Sequence, residues 1–151
     1  MSTLTFRTAT ADDVPACIEI RGQTRENAFS VEELRALGIT QESWAAGVRS
    51  GEVPGFVACD AGRVTGYCFG DRDSGEIVVL ALLPQSENQG AGKTLLGLTI
   101  QVLKNLGHTR LFLACASDPA VRSYGFYRHL GWKPTGERDE AGDDILELSL
   151  K

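Results

Sequence analysis

Two wholly apolar runs interrupt the alternation of apolar and polar positions along the chain. The first, Ile77 to Leu83, stops at Pro84 and predicts a strand that is buried on both faces. The second, Leu111 to Cys115, predicts another buried strand. Between them, apolar residues recur at helical spacing from about Gly90 to Leu106 and predict a long amphipathic helix. A strand, a helix and a strand this close together predict a parallel crossover, which is almost always right-handed.

The rest of the pattern predicts further strands and helices. The other predicted strands cover residues 4–8, 56–60, 63–70, a segment that begins at 131, and 144–150, and the other predicted helices cover 12–22, 30–38, 40–50 and 119–130. The sequence contains no internal repeat, low-complexity tract or linker. We therefore expect one mixed sheet in a single domain that spans residues 1–151.

Composition argues against several classes of protein. The formal net charge of −5 disfavours a nucleic-acid-binding domain, which usually carries a basic patch. No apolar stretch is long enough to span a membrane, and the N-terminal residues are too polar for a signal peptide. Four scattered cysteines and two histidines fit neither a disulfide framework nor a metal site, so we expect no metal. These features predict a cytoplasmic protein.

A glycine-rich turn joins the first apolar strand to the long helix. Gly90 and Gly92 lie where that helix begins, and the first N–H groups of a helix favour anions because they lack partners inside the helix. The turn therefore predicts a ligand that carries phosphate. A Walker A loop also ends in Gly-Lys-Thr, but it needs a glycine where Glu87 stands. A dinucleotide-binding turn fails as well, because the third glycine spacing is missing and several strands precede the turn.

Two motifs resemble the GCN5-related N-acetyltransferase (GNAT) family. The segment Ala81-Leu-Leu-Pro84, followed by Gly90-Ala-Gly-Lys-Thr-Leu-Leu96, is similar to the family's acyl-CoA-binding turn, written Gln/Arg-x-x-Gly-x-Gly/Ala. Further along the chain, Gly125-Phe-Tyr-Arg-His-Leu-Gly-Trp132 resembles the family's helix that ends in Phe-Tyr-x-x-x-Gly-Phe. The segment from Phe6 to Asp12 resembles the family's opening, and the predicted order of elements agrees.

The resemblance implies an α+β fold with a central mixed, mostly antiparallel sheet, a parallel βαβ crossover and flanking helices. It also implies an enzyme that uses acetyl-CoA as co-substrate. The pantetheine arm would run beside the strand from Leu80 to Leu83, where the family's sheet splays, and an N–H group near Leu82 would polarise the thioester carbonyl. The residues expected to bind the coenzyme are Ala81, Leu82, Leu83, Gln89, Gly90, Ala91, Gly92, Lys93 and Thr94.

One position departs from the family pattern. Glu87 stands at the Gln/Arg position, and Gln89 lies two residues later. A carboxylate that faced the pyrophosphate would weaken binding, so we expect Glu87 to point into solvent. The phosphate cradle would then consist of backbone N–H groups from Gln89 to Lys93, with positive charge added by Lys93.

The resemblance also indicates which side chains would move protons. Tyr127 occupies the tyrosine of the helix motif and is the expected acid for the leaving thiolate, with Tyr124 as the alternative. Glu76 begins the strand that would bind the coenzyme and is the expected base for the amine, directly or through a water relay. The competing interpretations are core aromatic residues and a solvated glutamate.

A polar run at residues 21–27 lies where the family places its acceptor loops. Arg21 and Arg25 are four residues apart, so a continuing helix would put them on one face, where they could clamp a carboxylate. This spacing favours an amino acid or a similar carboxylated amine, whereas Glu26 would favour a cationic amine. Surface pairs of arginine and glutamate are the structural alternative.

Three functions remain open at this point. The leading one is N-acetylation of a small-molecule amine by acetyl-CoA. The second is acetylation of a protein N-terminus or lysine, and the third is a non-catalytic acyl-CoA-binding or regulatory domain. Nucleic acids and membranes are not expected partners, and homodimerisation is common among similar domains.

Overall fold

The computed structural model describes residues 4–23, 31–86 and 90–150. The strands are β1 (Leu4–Thr8), β2 (Gly55–Asp60), β3 (Arg63–Gly70), β4 (Ile77–Leu82), β5 (Arg110–Cys115), β6 (Lys133–Arg138) and β7 (Asp144–Ser149). The helices are α1 (Val14–Arg21), α2 (Val31–Ala36), α3 (Gln41–Ser50), α4 (Ala91–Asn105) and α5 (Arg122–His129). This order confirms the α+β arrangement predicted from the sequence. None of these helices is long and apolar enough to cross a membrane.

The strands form two antiparallel groups. The first contains β1, β2, β3 and β4 in that order, and the second has the order β5, β7, β6. A parallel bridge between Glu76 and Phe112 joins the two groups where β4 and β5 begin. Its direction confirms the parallel crossover, and β4 and β5 diverge after this bridge, close to where the family resemblance implies that the sheet splays. An apolar pattern identifies two strands without showing how far they stay paired.

Apolar side chains cover both faces of the four-stranded group. On one face, α4 buries Leu95, Leu96 and Leu103 in a core shared with β5 and α5. On the other face, α1 and α3 pack over Val57 and Tyr67. Each fully buried leucine contributes about 2 kcal/mol. The start of α4 therefore has a fixed position relative to β4.

A bulge changes the direction of the side chains in β4. Gly70 of β3 lies opposite Ile77 and Phe69 lies opposite Val79, so Val78 has no partner across the pair. As a result, Ile77 joins the core beneath α4, whereas Val79 packs in the core beneath α1 and α3. Val78 remains 49% exposed. Bulges of this kind are common beside active sites, where they redirect side chains.

Helix α5 begins later than the sequence pattern predicted. The expected helix covered residues 119–130, and the observed one is Arg122–His129. Asp118 holds the preceding residues in a turn: its side chain accepts a hydrogen bond from the Ala120 N–H at 2.9 Å, and its carbonyl accepts one from the Val121 N–H at 3.0 Å. Local hydrogen bonds of aspartate compete with helix formation in this way.

Candidate active site

The divergence of β4 from β5 leaves a cleft beside the second half of β4. On one side β4 pairs with β3, and on the other it leaves β5 after the bridge from Glu76 to Phe112. The Leu83 N–H donates to the Thr65 carbonyl of β3 at 3.0 Å. Because N–H groups alternate between the two sides of a strand, the Leu82 N–H points away from β3 and toward the cleft.

The side chains at this end of β4 lie in the two cores. Ala81 and Leu83 are 4% and 2% exposed and pack beneath α1 and α3. Leu82 is half-buried and packs against the core beneath α4. What β4 presents to the cleft at Leu82 is therefore backbone rather than side chain.

Helix α4 begins after a glycine turn. Gly90 precedes it in the left-handed region, with φ of 79°, and has no side chain that could cap the helix. The Gly90 carbonyl accepts a hydrogen bond from the Thr94 N–H at 3.1 Å. The N–H groups of Ala91, Gly92 and Lys93 precede this first bond and have no place in the helical ladder. Lys93 is exposed, so it adds a mobile positive charge to the positive end of the helix dipole.

The start of α4 packs between β4 and α5. A methyl group at Gly92 would lie 3.5 Å from the side chains of both Leu82 and Phe126. The backbone of this turn is therefore held beside the cleft by elements from both sides. Glu87 and Gln89 lie outside the described residues, so their roles stay predictions.

Replacing Gly90 with alanine is expected to raise the KM for acetyl-CoA about fivefold, because a side chain at positive φ strains the turn by about 1 kcal/mol and shifts the N–H groups. Gly38 offers a matched control, since it has a φ of 80° and, like Gly90, no atom within 4 Å of an added methyl group. Gly38→Ala should lose similar stability without a change in KM. Steady-state kinetics and thermal unfolding of both variants test this prediction. If Gly90→Ala and Gly38→Ala had the same KM for acetyl-CoA, the turn would have no role in binding the coenzyme.

Tyr127 is buried beside the cleft. Its ring centroid lies 5.0 Å from that of Phe126 and 6.1 Å from that of Trp132, both in edge-on contacts. Burial raises the pKa of the Tyr127 hydroxyl, and nearby Cys68 of β3 and Cys115 of β5 raise it further. The hydroxyl therefore stays protonated at neutral pH and can donate a hydrogen bond.

The end of α5 fixes the position of Tyr127. Gly131 has a φ of 100°, and the Trp132 N–H donates to the Tyr127 carbonyl at 3.2 Å. Glycine favours this type of helix ending because it has no Cβ. The glycine and the large aromatic residue after it in the sequence motif therefore have a structural role here.

Tyr124 has a different environment. The guanidinium of Arg128 lies 3.6 Å from the centre of its ring, and Arg128 also pairs with Asp144 at 2.9 Å. The Tyr124 ring is half-buried rather than enclosed. This stacking gives Tyr124 a structural partner and makes it the weaker candidate for a proton donor.

Glu76 is half-buried at the closed end of the cleft. Its N–H donates to the Ser74 hydroxyl at 3.2 Å, and its carbonyl accepts from the Asp71 N–H at 2.8 Å, so its backbone is fixed. Burial raises the pKa of the Glu76 carboxyl, and the negative charge of Asp71 raises it further. A raised pKa brings a carboxylate closer to the range suited to a general base near neutral pH.

Arg21 lies at the end of α1, close to two tyrosines. Burial lowers the pKa of its guanidinium, and the electrostatic effects of Tyr67 and Tyr127 oppose that change. Helix α1 ends at Arg21, close to the predicted end at Gly22, and Gly22 and Gln23 form a turn. The alignment of Arg21 with Arg25 needs a helix that continues past this turn, and it stays a prediction. Arg25 and Glu26 lie outside the described residues.

Two neighbours of these residues were not anticipated from the sequence. Asp71, on the turn before β4, raises the pKa of Glu76. Tyr67, on β3, has an electrostatic effect on the pKa of Arg21 at the end of α1. The alternation of β3 could have placed Tyr67 on the face beneath α1. No sequence pattern shows which charges a buried side chain meets.

Comparisons with known proteins agree on one family. The family model described as Acetyltransferase (GNAT) family matches residues 14–132. The PaiA N-acetyltransferase from Thermoplasma acidophilum, solved in complex with coenzyme A, is 21% identical, with a TM-score of 0.80 over 97% of this chain and 99% of that one. YncA from Salmonella typhimurium, solved with its cofactor acetyl-CoA, is 20% identical, with a TM-score of 0.76 over 99% of this chain and 95% of that one.

A third solved structure, a phosphinothricin acetyltransferase from Sinorhizobium meliloti in complex with acetyl-CoA, is 22% identical, with a TM-score of 0.73 over 98% of this chain and 89% of that one. At these identities the similar structures show a shared fold. No curated protein sequence is significantly similar to this chain.

Proposed function

The chain belongs to the GNAT acetyltransferase family, and we propose that it transfers the acetyl group of acetyl-CoA to the primary amine of a small molecule that also carries a carboxylate. Membership makes it an acyl-CoA-dependent acetyltransferase. The family match covers residues 14–132, which supports treating the 151 residues as one catalytic domain. The main support for the residue roles is that the start of α4 packs between Leu82 of β4 and Phe126, whose ring contacts that of the buried Tyr127.

The start of α4 fits the pyrophosphate of the coenzyme. Three N–H groups precede the first helical bond, and a flexible lysine lies beside them. Gly90 leaves the backbone open to a close approach, whereas Gly92 allows the turn to pack closely against Leu82 and Phe126. Proteins with this fold have been solved with coenzyme A or acetyl-CoA bound, which supports the same co-substrate here.

Each proposed catalytic group has one task. The amine must lose a proton to attack, and Glu76 would take that proton directly or through water. The Leu82 N–H would stabilise the negative charge that develops on the thioester oxygen. Tyr127, kept protonated by its burial, would give its proton to the departing thiolate of coenzyme A. The acetyl group would thereby move from sulfur to nitrogen.

Replacing Asp71 with asparagine is expected to move the acidic limb of the pH profile of kcat/KM to lower pH. Glu76 acts as a base only when it is deprotonated, so the rate rises as the pH passes through its pKa. The charge of Asp71 contributes to raising that pKa, and removing the charge lowers it. Asp73→Asn is a matched control on the same turn, because the Asp73 side chain is 71% exposed and pairs with Arg72. An unmoved limb in Asp71→Asn would contradict the assignment of Glu76.

The proposal that the acceptor carries a carboxylate rests on Arg21, which would bind it. The guanidinium of Arg21 has an electrostatic interaction with Tyr127, which supports an acceptor site on the same side as the proposed proton donor. Arginine binds carboxylates well because its planar group offers paired N–H donors. A small amino acid or a similar compound fits this arrangement.

Acetylation of a protein N-terminus remains the second candidate. Similar structures carry names that specify different acceptors: one is a phosphinothricin acetyltransferase, and another, from Escherichia coli, is a ribosomal-protein-S18-alanine N-acetyltransferase. The fold therefore does not choose between acceptors. A peptide N-terminus also carries a primary amine, but it lacks a carboxylate on the same residue.

An acetylation assay with a panel of acceptors separates these functions. Release of coenzyme A thiol would be followed with free amino acids, with the matching amines that lack a carboxylate, and with peptides. We expect amino acids to give the highest kcat/KM. A preference for peptides would favour the second candidate. Thermal stabilisation by acetyl-CoA without amine-dependent thiol release would favour a non-catalytic binding domain.

A further inference from the structure

The core beneath α1 and α3 contains an unpaired hydroxyl. Tyr67 of β3 is completely buried, and its hydroxyl oxygen has no hydrogen-bond partner among residues 4–23, 31–86 and 90–150. Leaving such a group unpaired costs about 1–3 kcal/mol. Native proteins keep few groups of this kind, so each one calls for a physical explanation.

Tyr67 lies next to the strand that borders the proposed coenzyme cleft. It stands directly opposite Ala81 of β4. Its ring centroid is 5.6 Å from that of Trp44 and 5.7 Å from that of Phe69, so aromatic contacts fix the direction of the hydroxyl. Helix α1 packs in the same core and covers this side of the sheet.

Arg21 brings a positive charge to this hydroxyl. It follows Ile20, which packs in the same core as Tyr67, and its guanidinium interacts electrostatically with the hydroxyls of Tyr67 and Tyr127. Burial raises the pKa of Tyr67, so its hydroxyl stays neutral and keeps its proton. An O–H donor beside a guanidinium suits a carboxylate oxygen and disfavours an ammonium group.

We propose that the Tyr67 hydroxyl and the Arg21 guanidinium together form the subsite for the carboxylate of the acceptor, so that Tyr67 determines which amines are used. This inference rests on the proposed function, because the subsite needs an acceptor. Binding of the carboxylate gives the buried hydroxyl the partner that it lacks in the free protein. The same guanidinium also has an electrostatic effect on Tyr127, the proposed proton donor.

Tyr67→Phe tests the subsite because it removes the hydroxyl and keeps the ring. With L-leucine as acceptor, we expect kcat/KM to fall about tenfold, the size of one lost hydrogen bond to a charged group. With isoamylamine, which lacks the carboxylate, the change should stay below about twofold, and the KM for acetyl-CoA should not change. The melting temperature should stay the same or rise, because the hydroxyl is unpaired in the free protein.

Thr99→Val is the matched control. Thr99 is also completely buried, but its hydroxyl already donates to the Leu95 carbonyl at 3.0 Å within α4. This variant should lose stability without changing the preference for L-leucine over isoamylamine. An unchanged preference in Tyr67→Phe, or equal losses with both acceptors, would overturn the subsite.

A binding measurement separates failure of the subsite from failure of the proposed function. If the unaltered protein releases no thiol with any amine, the proposed function fails. In that case, the shift in melting temperature on adding L-leucine still tests the subsite, because this shift reports binding and not catalysis. Greater stabilisation of the unaltered protein than of Tyr67→Phe would support the subsite, and equal or absent stabilisation would overturn it.

Discussion

Replacing Tyr127 with phenylalanine is expected to lower kcat about 100-fold, the lower end of the range for loss of a general acid. The reason is specific to its position: burial keeps the hydroxyl protonated, and the ring is fixed between Phe126 and Trp132. The KM for acetyl-CoA should change little, because the hydroxyl would act on the departing thiolate rather than on the bound coenzyme. Steady-state kinetics with saturating amine measure both quantities.

Tyr124→Phe is the comparison variant on the same helix. The Tyr124 ring stacks on Arg128, and phenylalanine keeps that contact, so kcat should stay within about threefold of the unaltered protein. A larger loss in Tyr124→Phe than in Tyr127→Phe would transfer the acid role to Tyr124. Unchanged turnover in both variants would leave the thiolate to be protonated by water and would contradict the proposed mechanism.

Replacing Lys93 with glutamate is expected to raise the KM for acetyl-CoA about thirtyfold at low ionic strength, because it reverses a charge beside the expected pyrophosphate. The same change should not lower stability, since an acidic residue in the first turn of a helix interacts favourably with the helix dipole. Affinity and stability are therefore expected to move in different directions. The loss should shrink in high salt, because Lys93 is exposed and its field is screened.

Lys104→Glu is the matched control at the other end of α4. Lys104 lies in the last turn, where an acidic residue opposes the dipole. This variant should lose stability and keep the KM of the unaltered protein. If the two variants raised the KM equally, the effect would reflect net charge rather than a phosphate site at the start of α4.

Sequence patterns located most elements because local rules govern them. The apolar run Ile77 to Leu83 became β4, Ile77–Leu82. The predicted strands 56–60 and 63–70 are joined by a tight turn in which Ala61 and Gly62 have φ of 52° and 83°. The helix predicted from residue 40 begins after Thr40, whose hydroxyl accepts the Ser43 N–H at 3.0 Å.

Features that depend on long-range packing could not be predicted in the same way. The single bridge that joins β4 to β5, and the bulge at Val78, depend on how two distant segments meet.

In the candidate site, too, local motifs could be predicted from the sequence and long-range surroundings could not. A motif located the start of α4 and Tyr127, because a turn and a helix ending have recognisable residues. The surroundings that give these groups their chemistry come from other elements. Asp71 lies on a turn before β4, and Tyr67 lies on β3 beneath the end of α1, and neither belongs to a motif.

The acetyl-transfer assay with L-leucine and acetyl-CoA tests the central claim most directly. Mass spectrometry would identify the product, and thiol release would count the turnovers. The account predicts N-acetyl-leucine in amounts equal to the coenzyme A released, with far less release when the amine is omitted. Thiol release without an acetylated amine, or binding of acetyl-CoA with no amine-dependent turnover for any member of the panel, would contradict it.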